Sequence, residues 1–487
     1  MNIELITHQP MWLFAALLLM KFFLLLAVPL PESWHGDAWD YVGKARYLYE
    51  HGTFPEIRKG PDEEEPFRTA DFRPPGYHFF ISVFIPLGES NAEIARSVRI
   101  AQFGLDAVTT TLLLLIAYSF HPALGYRWFA AFILGLQPWT GAFIVAIVPE
   151  TLTTILTVVG VLLLSFFVTW DGALRQAMAL LGASLLLSLT FIIRPEMILF
   201  TFVLLAASIL YAVRSQPARN HVLFLVIAAL PFLGVIGANM AYRFHAADEI
   251  AIFGARPGSS PSGLGLWTGT WIAPQTIKEE IVFGPLRIGP NRFAELPSRM
   301  FSDESERDKL LKVVSGVHAR GFMNAEDDQM FLKVARERMD RDPLTYYLWQ
   351  PLYAAGNSWL NLSNAAHYLY GFSHLPRPVS KLLTAAFFGF KLLVLALFLY
   401  GVYRIIVELR SRSPEQWYLL FMLLGIGLAL MRTLFFSFYY RHAEYRYTTI
   451  VWPFILLVAL FGVSAIWTSL THRSGQPLVQ ARDPIRT

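Results

Sequence analysis

Acids, arginines and tyrosines gather in four short stretches of this sequence, each bordering an apolar run. The first begins at Asp37, with Tyr41 four residues on, Arg46 nine on and Gly52 fifteen on. It leads to Arg73-Pro74-Pro75-Gly76-Tyr77, just before the chain turns apolar again. The second holds Glu150 within VPETL, and the third is Arg194-Pro195-Glu196. The fourth runs from Arg441 to Tyr447 and contains Glu444 and Arg446. A carboxylate in such a place can cap a helix, pair with an arginine, or take a proton from a reacting hydroxyl. An arginine can anchor the chain at an interface or hold an anion in a planar two-point fork. Taken singly, Asp37 reads as an N-cap, Arg73 as an interfacial anchor, and Glu150 with Arg194 as an ion pair between helices. Taken together, the stretches hold more arginines than the nearby acids need. Ionisable groups at a membrane face are costly unless they pair or meet a ligand.

The elements that must position these residues are apolar helices. The chain has 487 residues, 55% of them apolar, with a mean hydropathy of +0.44. About 20 apolar residues in a helix cross a hydrocarbon core of roughly 30 Å. Runs of that kind recur near 11–30, 94–118, 127–147, 150–170, 177–193, 196–213, 221–241, 382–405, 416–437 and 447–468. They lack the alternation of barrel strands, so the expected class is an all-α polytopic membrane protein of about 10–12 transmembrane helices. The run 11–30 has no Lys or Arg before it and no cleavage site after it, and reads as an uncleaved first span. Residues 77–88 are too few for a crossing and are expected to be partly embedded; 347–372 could hide another short crossing. The formal charge of +4 reflects basic loops rather than nucleic-acid binding. The absence of cysteine excludes disulfides and thiol catalysis.

Charge sets the expected orientation. With a cytoplasmic N-terminus and a non-crossing 77–88, the cytoplasmic loops and the tail from 471 hold ten arginines, counting Arg404 at an edge, against four acids. That fits the positive-inside rule. Two long segments, 31–76 and 242–380, then lie outside. Residues 37–51 are predicted to be a helix with Asp37 at its start and Gly52 as its stop. Residues 325–341 are predicted to be an amphipathic helix lying along the membrane surface, with Phe331, Val334, Ala335 and Met339 on one face and Pro343 ending it. The Gly/Ser-rich stretch from Gly258 to Gly269 is expected to be non-helical. The divisions expected are a catalytic transmembrane module 1–241 including the loop 31–76, a large outer region 242–380, C-terminal helices 381–470 and a cytoplasmic tail 471–487.

These motifs, in this order, resemble the C-type (GT-C) glycosyltransferases that use polyprenyl-phosphate sugars. The likeness is to the branch of protein mannosyltransferases and lipid A aminoarabinose transferases. That family has an Asp just after the first span, a Tyr four on, a Gly about fifteen on, and then a basic-Pro-Pro-x-Tyr motif. Asp37, Tyr41, Gly52 and Arg73 to Tyr77 match these. Glu150 resembles its later acid, and Arg194-Pro195 its basic turn. Arg243, Phe253-Gly254 and Gly263 to Trp267 resemble its Arg, aromatic-Gly and Gly-rich stretch. Glu444 to Tyr447 resembles its entry to the final helix. The resemblance implies a GT-C-like fold and transfer of one sugar from a polyprenyl-phosphate donor to a lipid, glycan or protein acceptor. Asp37 would act as base. Arg73, Arg194, Arg243, Arg441 and Arg446 would face the donor phosphate, with Tyr41, Tyr77, Glu150, Glu196 and Glu444 lining the site. Phe72 stands where the aminoarabinose transferases have a metal-binding Glu, so no metal or other cofactor is expected. The chain also lacks a large luminal β-domain insertion. Two other readings are a secondary transporter, which usually shows repeated halves not found here, and a flippase or scaffold for lipid-linked sugars.

Overall fold

Apolar runs bounded by Gly, Pro and polar clusters fold here into sixteen described α-helices, seen in a computed structural model. It describes residues 3–27, 37–53, 74–140, 143–144, 146–215, 217–247, 262–271, 290–291, 293–320, 323–360, 376–411, 417–440 and 445–473. In order these helices are α1 (Ile3–Ala27), α2 (Asp37–His51), α3 (Pro75–Ser82), α4 (Asn91–Tyr118), α5 (Leu124–Leu136), α6 (Glu150–Thr169), α7 (Ala173–Ile193) and α8 (Met197–Ser215). Then come α9 (Ala218–Ala247), α10 (Ser262–Gly269), α11 (Glu304–Arg320), α12 (Ala325–Arg341), α13 (Gln350–Leu360), α14 (Arg377–Ser411), α15 (Trp417–Leu434) and α16 (Trp452–Arg473). No strand occurs among the described residues. Eight of the helical segments are long and apolar enough to cross a membrane. That is fewer than the ten runs of the sequence. The difference lies in α1, whose apolar part is Pro10–Leu26, and in α5, which stops at Leu136. Beyond α5 the described residues before Glu150 (137–140, 143–144 and 146–149) are not helical, unlike the helix expected over 127–147.

The main core joins both ends of the sequence. Leu113, Leu134, Val158, Leu187, Phe454 and Leu457 pack in one cluster, so α4–α7 and the C-terminal α16 share an interior. Most of α16 is buried, whereas α9 and α14 expose most of their apolar length. A helix that is apolar all round belongs at the centre or against lipid, and these helices take those two places. The region 77–88 forms α3 and a short 3₁₀ turn, Ile85–Leu87, and lies beside α2 and α4.

A separate apolar cluster, centred on Trp267, joins α10, α11 and α12. Two expectations fail here. Residues 262–269 are helical, because Gly263 has no Cβ and α10 can lie against the Asp328 backbone of α12. Asp328 also accepts a hydrogen bond from Leu264 N at 3.0 Å, satisfying the first turn of α10. The apolar face of α12 is covered by protein rather than laid on a membrane: Phe331, Val334 and Ala335 are buried in the Trp267 cluster and Met339 packs on it. The bounds of α12 match the sequence, with Asn324 and Asp327 forming a reciprocal capping box at its start.

Candidate active site

The site is built where α6 begins and α7 ends. Tyr77 is wholly buried, and its hydroxyl donates to Gln102 Oε1 of α4 at 2.5 Å. The Gln102 amide in turn donates to the carbonyl oxygens of Phe143, Ile144 and Ala146 at 2.9–3.3 Å. One glutamine thus holds the irregular chain that delivers Glu150. Gly76 makes this packing possible: a Cβ there would sit 2.8 Å from the Ile192 carbonyl oxygen, two residues before Arg194. Tyr41 of α2 meets Tyr77 edge-on at 4.9 Å and His78 at 5.1 Å. Tyr41, Val42 and Ala45 pack in the same cluster as Ile147 and Ile193, the near neighbours of Glu150 and Arg194. The helix that starts at Asp37 therefore packs on α3, in the apolar cluster that also holds the near neighbours of Glu150 and Arg194. It ends at Gly52, whose φ of 69° is the left-handed stop the sequence calls for. Arg46 of the same helix donates to Asn91 Oδ1 at 2.9 Å, tying α2 to the start of α4.

The charged residues form a chain of four. Arg194 Nη1 donates to Glu150 Oε1 at 2.6 Å and its Nε to Glu196 Oε1 at 2.7 Å. Glu196 Oε1 also lies 3.5 Å from Arg432 Nη2. Burial alone would raise the Glu196 carboxyl, but Arg194 and Arg432 overcome this and hold it down at about 2. Two aromatic rings brace the guanidiniums. Arg194 lies over the Tyr447 ring at 5.5 Å, Tyr447 stacks on Phe436 at 4.0 Å, and Arg432 lies over Phe436 at 5.1 Å. Arg432 Nε donates to the Tyr447 carbonyl at 3.0 Å. Phe436 belongs to a π-helical turn, Phe435–Tyr440, and Tyr447 to a 3₁₀ turn, Tyr445–Val451, so both neighbouring spans loosen at the site. π-helical turns inside helices frequently mark functional sites. The chain of four leaves capacity unused: Glu150 Oε2 and Arg432 Nη2 make no hydrogen bond.

Of the sequence candidates, Tyr41, Tyr77, Glu150, Arg194 and Glu196 are gathered here. Arg243 is buried near the end of α9. The side chain of Asp37 lies outside the described residues, as do Arg73, Arg441, Glu444 and the side chain of Arg446. Phe253-Gly254 lies outside them too. The pair Glu150–Arg194, one of the bland readings of the sequence, is present. Arg432 was not singled out from the sequence. Its signal was an arginine inside the apolar run 417–438, a position that marks function by default. The same signal marks a second missed pair, Lys21 of α1 and Asp106 of α4. They lie 4.0 Å apart with both side chains fully buried. Among the described residues, no three His, Asp or Glu side chains converge where a metal ion could sit.

No protein-family model and no curated protein matches the chain. Solved structures similar to it include the following three. One is an oligosaccharyltransferase from Archaeoglobus fulgidus in the apo form, 12% identical at a TM-score of 0.47, covering 98% of this chain and 52% of its own. This chain thus spans about half the length of that protein. The others are ArnT from Cupriavidus metallidurans in the apo state (13% identity, TM-score 0.31, 95% and 78% covered) and bound to undecaprenyl phosphate (14%, 0.32, 95% and 79%). At these scores and identities, the chemistry rests on this chain's own residues.

Proposed function

We propose that the protein is a membrane glycosyltransferase that moves one sugar from a polyprenyl-phosphate donor to a lipid, glycan or protein acceptor at the extracytoplasmic face. The observation that carries this reading is the buried chain Glu150–Arg194–Glu196–Arg432 at the end of several apolar helices, with α2, the helix of Asp37, packed in the apolar cluster that reaches Ile147 and Ile193. A lipid-linked donor needs a site at the membrane edge. Its phosphate needs cations, and arginine meets phosphate through two parallel N–H groups. The ordered motifs from Asp37 to Tyr447 point the same way.

In the proposed reaction the bond between the sugar's anomeric carbon and the phosphate oxygen breaks, and the phosphate keeps the electron pair. Arginines stabilise the leaving polyprenyl phosphate. The acceptor oxygen bonds to the opposite face of that carbon, inverting it, and its proton passes to Asp37. A free aspartate has a pKa of about 3.9, which makes it a weak base towards an alcohol. It need only receive the proton as the hydroxyl turns acidic on bonding to a cationic carbon. Such help is typically worth about 10²–10⁴ in rate. Tyr77, its hydroxyl committed to Gln102, acts in this scheme by seating Tyr41 and α2. Arg73, Arg243, Arg441, Glu444 and Arg446 remain candidates for the donor and acceptor.

Asp37→Asn tests the base directly. Asn caps a helix about as well as Asp, so a structural Asp37 would tolerate the change. The expected result is a folded protein that transfers sugar at least about a hundredfold more slowly. Near wild-type turnover would remove Asp37 from the chemistry. A second reading, transport, is favoured by the Lys21–Asp106 pair, since buried ions in spans often line transport paths. Under that reading Lys21→Met would abolish function while Asp37→Asn would leave it intact.

A further inference from the structure

The chain that follows α12 presents an aromatic face with no charge on it. Residues 344–360 run through a π-helical turn, Thr345–Trp349, into α13, and none of the seventeen is Asp, Glu, Lys or Arg. In α12, also seventeen residues long, nine are charged. Tyr346, Gln350, Pro351, Ala354 and Ser358 are buried along one stripe. Around the rest of the surface Leu344, Tyr347, Leu348, Trp349, Leu352 and Tyr353 are exposed, Leu344 at 65% and Trp349 at 55%. α13 lies against the π-helical turn Phe435–Tyr440, where α15 ends, and the 3₁₀ turn Tyr445–Val451, where α16 begins. Trp359 Nε1 donates to Thr433 Oγ1 at 3.0 Å, fastening its far end to α15. The two apolar spans there run Trp417–Phe438 and Tyr447–Thr471. The segment therefore sits at the edge of the hydrocarbon, at the end of the bundle that holds Arg194 and Arg432.

We infer that residues 344–360 are an interfacial helix, with the bare face sunk into the headgroup–acyl boundary of the bilayer, and that this seating clamps the two loosened turns beside the site. The surface-lying role expected of α12 thus falls to the next helix. The occupant is the lipid surface because the face continues one that already meets lipid: Leu430, Leu434 and Phe438 of the adjoining span are exposed, and Phe438 lies in a turn that α13 touches. The segment lies along the membrane, since seventeen helical residues rise only about 25 Å against a core of roughly 30 Å. Its composition fits that depth. Tyr and Trp pair an apolar body with a polar tip and favour the headgroup level, and the leucines between them reach the acyl chains. With no basic residue, the face is held by apolar burial and not by anionic lipid. The turns it touches carry the rings that brace the guanidiniums, Phe436 under Arg432 and Tyr447 under Arg194. Nothing in this assignment depends on which reaction the site performs.

The chain has no cysteine, so one introduced cysteine carries one spin label. The full chain is labelled at Leu348→Cys or Leu352→Cys, at exposed Glu337→Cys of α12 as the water reference, and at Leu430→Cys of α15 as the lipid reference. Each variant changes one exposed side chain. In phosphatidylcholine nanodiscs, collisions with oxygen, which enters the bilayer, are compared with those of a nickel chelate, which stays in water. The labels at 348 and 352 should favour oxygen over nickel by at least about tenfold relative to 337, as expected of a face buried in the acyl boundary, and should approach 430. Values equal to that at 337 would overturn the interfacial helix. So would broadening of the 352 signal that disappears on dilution with unlabelled protein, since a second copy would then cover the face. Adding phosphatidylglycerol should leave the depth unchanged; seating that requires it would overturn apolar burial as the cause. The clamp is tested by Leu344→Ser, Leu348→Ser and Leu352→Ser together, which spare the buried stripe. In the same nanodiscs, amides of 435–440 and 445–451 should exchange with deuterium about tenfold faster than in wild type, as local opening becomes easier. Unchanged exchange, with a label at Trp349→Cys moved into water, would remove the clamp and leave the interfacial helix.

Discussion

Two buried clusters in this protein are made of glutamate, arginine and aromatic rings, and they are finished differently. In the helical unit of α10–α12, Glu306 Oε1 accepts from Trp267 Nε1 at 3.0 Å and from Arg338 Nη1 at 3.3 Å. Its other oxygen accepts from Ser302 N at 3.1 Å, and Arg338 also donates to the Met300 carbonyl at 2.8 Å. Both carboxylate oxygens are used. Where α6 begins and α7 and α15 end, Glu150 has an oxygen without a hydrogen bond and Arg432 a nitrogen without one, and a cleft opens beside Arg432. Buried charge alone therefore does not mark a site. At Glu306 both carboxylate oxygens are taken up within the helical unit, whereas at Glu150 one is left over.

Substitutions can break or sharpen that contrast. The largest effect is expected at Arg194. Arg194→Ala strands Glu150 and leaves Glu196 only Arg432 at 3.5 Å, and breaking a buried pair typically costs about 3–5 kcal/mol. The thermal midpoint in detergent should fall, and sugar transfer should be lost. Arg194→Lys keeps the charge but not the fork and should retain part of the activity; wild-type donor affinity and turnover in both variants would put Arg194 on the structural side. Next in size is Glu306→Gln, which should lower stability by about 1–3 kcal/mol and leave donor affinity unchanged. An equal loss of affinity there would dissolve the contrast. Smaller still is Arg341→Ala. Its 3.6 Å pair with Asp303 is more than half exposed, so the thermal midpoint should barely move. Finally, EDTA should leave the turnover of purified protein unaltered, as Phe72 in the place of a metal-binding Glu suggests. Loss of activity restored by one particular metal would contradict that.

What the sequence made legible is what short-range chemistry controls. The helix from Asp37 to Gly52 and the helix 325–341 could be bounded because caps, dipole-favouring acids, a glycine stop and a proline all lie within a turn of the ends. The apolar runs gave most of the spans for the same reason. The Glu150–Arg194 pair was foreseeable because their two segments meet at one membrane face. Arg432 was harder to place. The residue is 236 positions along the chain from Glu196, and no local pattern says which face of α15 meets α8. Lys21 and Asp106 hid in the same way, inside runs that read as plain lipid-facing helix. The glycine-rich α10 was misjudged because the contact that stabilises it, Gly263 on Asp328, comes from tertiary packing, which overrides local propensity.

The short α5 has a mechanical consequence. Its 13 residues rise roughly 20 Å, well under the thickness of a hydrocarbon core of about 30 Å. Beyond α5, the carbonyls of Phe143, Ile144 and Ala146 are taken up by Gln102. Phe132 still faces outward on α5. Lipid tails beside it meet a wall of reduced apolar height, and a bilayer answers such mismatch by thinning locally, at fractions of a kcal/mol per Å. The protein would then gauge the thickness of its membrane. Reconstituted in short-tailed lipids, the stretch from α5 to Glu150 would lie unstressed; in long-tailed lipids, the strain of the surrounding leaflet would bear on the one segment that carries Glu150 to its arginine.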